Sequence, residues 1–130
     1  MIPIPSSIAD VTPDLCRRVF EEICGGRFVD LEYTTMWGDK GVRWTHDDVK
    51  GGKLEEGFKP FTRIQDTKLL DKWVVENDFY MQIDIVNRFC VVHLRSYGDI
   101  SNDCKASAGT EEMARACAII DAYNKLKEES

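Results

Sequence analysis

Apolar residues first recur at the helical interval. Leu15, Val19 and Ile23, with Cys16 and Phe20 beside them, make one stripe over Pro13 to Cys24. Thr12-Pro13-Asp14 supplies the entry to this helix: a hydroxyl to cap it, proline at its first position and an acid in its first turn. Asp14 and Arg18 stand as an i,i+4 pair on its wet side, and Gly25-Gly26 stops it. The period then drops to two. Val29, Leu31 and Tyr33 alternate with Asp30, Glu32 and Thr34, which predicts a strand within Arg27 to Trp37 with one face in water. Gly38-Asp39-Lys40-Gly41 is a turn, and Val42-Arg43-Trp44 pairs back as a short return strand. Thr45 to Pro60 is polar, contains glycine and has no period, so it reads as a long surface loop.

The second half repeats the plan more cleanly. Leu69, Leu70, Trp73 and Val74 share one face of a helix predicted over Asp66 to Asn77, with Lys72 and Glu76 outside. Phe79, Met81, Ile83 and Ile85 alternate with Tyr80, Gln82 and Asp84, and Asn87-Arg88 makes a two-residue turn into Phe89 to Arg95. That return strand is apolar on both faces, which predicts a central position between two layers. Ser96 to Ser107 is rich in turn formers and reads as a loop. Thr110 caps a final helix whose Met113, Ala116, Cys117, Ile120 and Tyr123 fall at helical spacing, with Ala114 and Ala118 permitting close packing. Glu111 with Arg115, and Asp121 with Lys125, read as i,i+4 pairs on a solvated face. Trp73, Ile83, Val91 and Ile120 are predicted core. The fold class is α+β: a small antiparallel sheet of about four strands flanked by three helices, in the order α-β-β-α-β-β-α, as a sandwich.

Composition narrows the class. A chain of 130 residues with 43% hydrophobic and 31% charged residues has the means to form a single domain over 1–130, with flexible ends at 1–11 and 127–130. No stretch has the roughly 18 apolar residues of a membrane span, and Met-Ile-Pro-Ile-Pro lacks the basic start of a secretion signal. The five cysteines form no even set and no C-x-x-C pair, as expected for reduced thiols in a cytoplasm. A net charge of -6 disfavours nucleic acid as a partner and favours a protein with a basic surface.

Three segments carry a family resemblance. Phe61-Thr62 through Asp71-Lys72-Trp73-Val74-Val75-Glu76-Asn77, the stretch Ala106 to Ala118, and Leu15 to Gly26 resemble the phage ABA-sandwich domain family. Asp71 departs from the small residue that the family more often has before the tryptophan. The resemblance implies an alpha/beta sandwich encoded by a phage or prophage and expressed in a bacterial host's cytoplasm. It implies no agreed activity and brings no site residues.

Candidate chemistry is sparse. His46-Asp47-Asp48 and the scattered cysteines lack the closed ligand set of a zinc site, and Asp99 and Asp103 lack the dense register of an EF-hand, so no metal and no cofactor are expected. Cys104 with His93 is the one drawable nucleophile and base, without a third group to orient it or donors for an oxyanion. Gly51-Gly52-Lys53 follows no strand and is not a phosphate loop. Trp37 and Trp44 bracket a turn and either close one end of the core or anchor a ligand or partner. The acidic positions Asp47, Asp48, Glu55, Glu56, Asp99 and Asp103, with Trp37, Trp44 and Tyr97, form the expected partner-binding set. The expected role is protein binding without catalysis: a phage accessory protein that engages a basic site on a host defence system, as some anti-CRISPR proteins do. A small-molecule or nucleotide-binding module using the 45–60 loop is the alternative, and a small Cys/His enzyme the third reading.

Overall fold

A computed structural model of the chain describes residues 1–25, 27–34, 36–38, 40–45, 58–98 and 100–129, with the backbone alone for 27–34, 40–45 and 129. Helix α1 spans Pro13–Glu22, and Thr12 Oγ1 accepts from the Leu15 N–H at 3.1 Å, the cap its sequence predicts. Its wet side carries Arg17 with Glu21 and Arg18 with Glu22, both i,i+4 pairs. Strands β1 (Arg27–Thr34) and β2 (Lys40–Thr45) form an antiparallel hairpin with a register shift between Arg27 and Leu31. Residues 46–57 of the predicted 45–60 surface loop lie outside the described residues, and at its end Phe58 and Pro60 are buried, not on the surface.

The helix predicted over Asp66 to Asn77 is two helices, α2 (Ile64–Lys68) and α3 (Asp71–Glu76). Leu69 N–H bonds to the Asp66 carbonyl and Leu70 N–H to the Thr67 carbonyl, so the chain tightens to three-residue spacing at the join. The fully buried Thr67 holds α2 in place, its hydroxyl between the carbonyls of Pro60 and Arg63. Asp66, also buried, accepts from the Lys59 N–H at 2.9 Å. An unbroken apolar run across Leu69 and Leu70 conceals the break from a periodicity argument.

Strands β3 (Phe79–Val86) and β4 (Phe89–Ser96) pair along their whole length, from Phe79 opposite Ser96 to Val86 opposite Phe89. Asn87 and Arg88 have φ of 49° and 69°, the left-handed pair that a type I′ turn requires. The end of the predicted loop Ser96 to Ser107 is a strand, β5 (Cys104–Ala108), which runs one residue beyond it and pairs with β4. The described residues therefore hold a three-stranded antiparallel sheet, β3-β4-β5, and the separate β1-β2 hairpin, in place of one sheet of about four strands. Cys-Lys-Ala-Ser-Ala is short and weakly β-forming, so its pairing comes from burial of Cys104, Ala106 and Ala108 beneath the final helix.

That helix, α4 (Glu111–Glu129), lies on β4 and β5 and also meets α2. It is covered on more than one side: every residue from Met113 to Ile120 is buried, Arg115 included at 8% exposed. The solvated face expected around Arg115 does not exist there. Arg115 Nη2 donates to both Asp71 carboxylate oxygens at 2.7 Å and ties α4 to α3, while Glu111 stands 3.7 Å from Nη1. Lys125, 39% exposed, keeps the expected i,i+4 pair with Asp121 at 3.8 Å and also donates to the Asp103 carbonyl at 3.2 Å. Phe20, Phe58, Phe61, Leu70, Leu94 and Ile119 fill the core, with Phe20 and Phe58 rings 5.1 Å apart. Trp73 stacks on Phe79 at 5.8 Å and meets the edge of Tyr123 at 6.0 Å.

One helical layer covers one sheet face. Residues alternate between faces along a strand, so Cys90, Val92 and Leu94 point toward α4 and Val91, His93 and Arg95 point away. The reading of β4 as central within the sheet agrees with its two partners. Its outer face, however, is half-exposed, so Val91 is not a core residue. Ile83 is not fully buried either: it lies on the α4 side of the edge strand but is 38% exposed, because the helical layer does not reach that end of β3.

Candidate functional site

Two surfaces on the described part of the molecule carry side chains whose exposure the fold itself does not require. The first is the outer sheet face. Tyr80, Gln82 and Asp84 of β3, His93 and Arg95 of β4 and Lys105 of β5 lie on it in register. Arg95 Nε donates to Gln82 Oε1 at 3.2 Å, His93 Nε2 stands 3.7 Å from Asp84 Oδ2, and the Tyr80 and Tyr97 rings meet at 4.9 Å. Asp84, His93 and Arg95 each find a neighbour within the face, which holds these side chains in place at exposed positions.

The second surface is an apolar groove. Its wall is the N-terminal arm, held down by Asn124: the Ile2 N–H donates to Asn124 Oδ1 at 3.0 Å, and Asn124 Nδ2 donates to the Ile2 carbonyl at 2.8 Å. This reciprocal pair buries Ile2 to 1% exposed. Further along, the Cys117 thiol approaches the Pro5 carbonyl at 3.8 Å. Between the arm, β5 and the first turns of α4 lies a groove of about 520 Å³, lined mainly by Ile4, Ile8, Ala106, Ala108 and Met113, with Phe89 on its rim. Ser6, Ser7, Ser107, Thr110 and Cys117 are the polar residues in its lining, and among the described residues no charged one lines it. Phe89 is 56% exposed, although it neighbours the buried Cys90.

The Cys/His pair does not assemble. Leu94 is opposite Cys104 and His93 opposite Lys105, so the thiol and the imidazole lie on opposite faces of one sheet. Burial also pushes the thiols up, above the ordinary 9.0: Cys16, Cys104 and Cys117 to about 11, and Cys24 to about 12. At neutral pH these thiols are protonated and weakly nucleophilic. Among the described residues no three His, Cys, Asp or Glu side chains are placed to hold a metal ion.

The raised thiols make stability depend on pH in a defined direction. Above pH 9.0 the unfolded chain gives up thiol protons that the folded chain retains until about 11 to 12, so the folded state binds more protons and stability falls as pH rises. The thiol contribution is fully present below 9.0 and is lost through that window. Thermal midpoints measured from pH 8 to 11 should fall, and Cys24→Ala should make the fall shallower. An identical slope for the variant would contradict burial of this thiol.

The residues expected to form the partner site do not converge among the described positions. Trp37 is 82% exposed, so it does not close the core. Trp44 lies in β2, with its side chain outside the described residues. Asp47, Asp48, Glu55, Glu56 and Asp99 lie outside them too. Tyr97 is exposed, with its ring tilted against that of Tyr80. Asp103 has a structural part: its Oδ1 accepts from the Ser96 N–H at 2.8 Å and its Oδ2 stands 3.8 Å from Arg95 Nη1, which closes the β4-β5 connection. Ile4, Ile8 and Phe89 escaped the sequence reading. The signal was an apolar Ile-Pro-Ile-Pro arm where a polar end is usual, and phenylalanine directly after a hairpin turn.

Compared with known proteins, the chain matches no family model, no curated protein and no solved structure.

Proposed function

We propose that this protein acts by binding another protein, with the groove beside the N-terminal arm as its principal docking site. The observation that carries the reading is Phe89: a large apolar ring on the rim of an apolar groove, with Ile4 and Ile8 also exposed nearby. Apolar surface left in water opposes folding and solubility, and a groove of this kind matches the insertion of a partner's apolar side chain or helix face. The net charge of -6 supports a partner whose apolar anchor is set among basic groups. Together with the resemblance to a phage family, this supports reading the protein as an accessory factor of a phage or prophage that engages a host protein, with a host defence system with a basic nucleic-acid channel as the partner class it suits.

Phe89→Asp tests the reading. The substitution places a carboxylate at an exposed position, so folding should be retained within about 0.5 kcal/mol. Quantitative affinity capture from host lysate should recover a partner with the parent chain and lose at least about tenfold of it with the variant. Equal recovery by both chains would remove the groove from the argument.

A volume of about 520 Å³ also suits a small apolar ligand, which keeps the small-molecule reading as the alternative. The absence of charged lining argues against a nucleotide in this groove. A ligand at 100 times its dissociation constant adds about 2.7 kcal/mol of stability, so a thermal-shift screen of apolar compounds separates the two readings.

A further inference from the structure

Strand β3 is an edge strand, and it lacks the devices that normally protect one. Its eight residues, Phe-Tyr-Met-Gln-Ile-Asp-Ile-Val, contain no proline and no lysine, and its register against β4 has no bulge. Among the described residues nothing pairs with its other edge. Ile83 is 38% and Ile85 83% exposed, on the side of the sheet where the core lies. A long, regular, apolar edge is a template for another strand.

The backbone on that edge has a fixed polarity. The two-residue turn at Asn87-Arg88 closes on the Val86–Phe89 pair, so even-numbered residues of β3 direct N–H and C=O toward β4. The Tyr97 N–H bonded to the Asp78 carbonyl at 3.0 Å has the same parity. Met81, Ile83 and Ile85 therefore turn their backbone groups to the open edge, and their side chains lie toward the α4 side.

We infer that β3 pairs antiparallel with β3 of a second copy, centred on Ile83, joining two three-stranded sheets into one. A two-fold axis normal to the sheet keeps each face on its own side, so odd residues must oppose odd and even oppose even. Centring on Ile83 places it against its own counterpart and Met81 against Ile85, pairs that exchange both backbone bonds and make a continuous apolar ladder. The same register places Gln82 against Asp84, an amide donor facing a carboxylate. Centring on Asp84 would set two carboxylates face to face, and centring on Gln82 would set Tyr80 against Asp84. Opposing an amide to a carboxylate, in place of two carboxylates, favours the Ile83 register over the Asp84 one, and the self-complementary strand points to the same chain as its occupant. This edge is separate from the Phe89 groove, so the dimer and the docking site succeed or fail independently.

Sedimentation velocity over a concentration series should show a monomer–dimer equilibrium. Ile83→Lys opposes two ammonium groups at the axis and should weaken the dimer at least about tenfold, while leaving the far-ultraviolet spectrum and the thermal midpoint at low concentration unchanged. Cysteine scanning reads the register. Ile83→Cys should form a disulfide-linked dimer on mild oxidation, whereas Gln82→Cys and Asp84→Cys should each stay uncoupled alone and couple when mixed. The native thiols, three buried and Cys16 and Cys24 partly so, leave the introduced exposed thiol as the more reactive group in this assay. A chain that stays monomeric throughout overturns self-pairing and leaves the edge to a strand from another protein. Coupling of Asp84→Cys with itself, or a dimer unaffected by Ile83→Lys, overturns the proposal as well.

Discussion

Replacing Asn124 with alanine is expected to lower stability by about 3 kcal/mol and to release the N-terminal arm. Asn124 is 8% exposed and meets both backbone groups of Ile2, in the way a neighbouring strand would. If the arm stayed in place, the Ile2 N–H and C=O would remain buried without partners, at about 1 to 3 kcal/mol each. If it lifted away, the buried Ile2 side chain would enter water, at about 1.5 to 3 kcal/mol. The molecule takes the less costly route, so release of the arm bounds the loss. At about 4 °C per kcal/mol for a chain of this size, the thermal midpoint should fall by about 12 °C. Limited proteolysis should cut within the first residues of the variant while the parent resists. Because the arm is one wall of the groove, partner capture should fall with it. A variant with parental stability and a protected arm would contradict this arrangement.

Asp71→Ala is expected to destabilise the fold by about 2 to 3 kcal/mol, more than an exposed ion pair is worth. Its partner Arg115 is almost fully enclosed, and the bidentate contact to Asp71 is the shorter of its two carboxylate interactions. Truncating Asp71 leaves a buried guanidinium with Glu111 alone at 3.7 Å, and Arg115 Nε has no hydrogen-bond partner among the described residues. Removing an ion from a buried pair typically costs about 3 to 5 kcal/mol. Asp71 is partly exposed, and water reaching the site lowers the figure. Arg115→Met should be milder than Asp71→Ala, because it removes the charge that needs compensation and retains an apolar stem. Urea unfolding of the two single variants and the double variant measures this directly. A double variant no more stable than Asp71→Ala would show that the buried charge is not the source of the loss.

Local chemistry made several elements legible. The Thr12 cap, the Asn87-Arg88 turn and the β3-β4 register follow from residue types whose backbone preferences act over a few positions. Strand β5 was hidden because its residues have little intrinsic preference for a strand, and the α2-α3 break because Leu69 and Leu70 continue the apolar pattern through it. Arg115 was misread for a related reason. An i,i+4 partner at Glu111 marks a wet face only when nothing packs over it, and here α3 brings Asp71 to the other side of the guanidinium. The candidate site was less legible than the fold. Phe89 and the arm residues Ile4 and Ile8 look like ordinary apolar positions in sequence, and only their place at a groove gives them meaning.

The sequence by itself determined the α+β class and the positions of its caps and turns, because these depend on neighbours along the chain. Tertiary structure alone decided that His93 and Cys104 lie on opposite faces, that Arg115 is internal, and that an apolar arm, a strand and a helix enclose a groove. Those outcomes depend on which surfaces remain uncovered after burial is complete. Burial is a property of the whole packed chain, set by contacts between residues as far apart as Ile2 and Asn124.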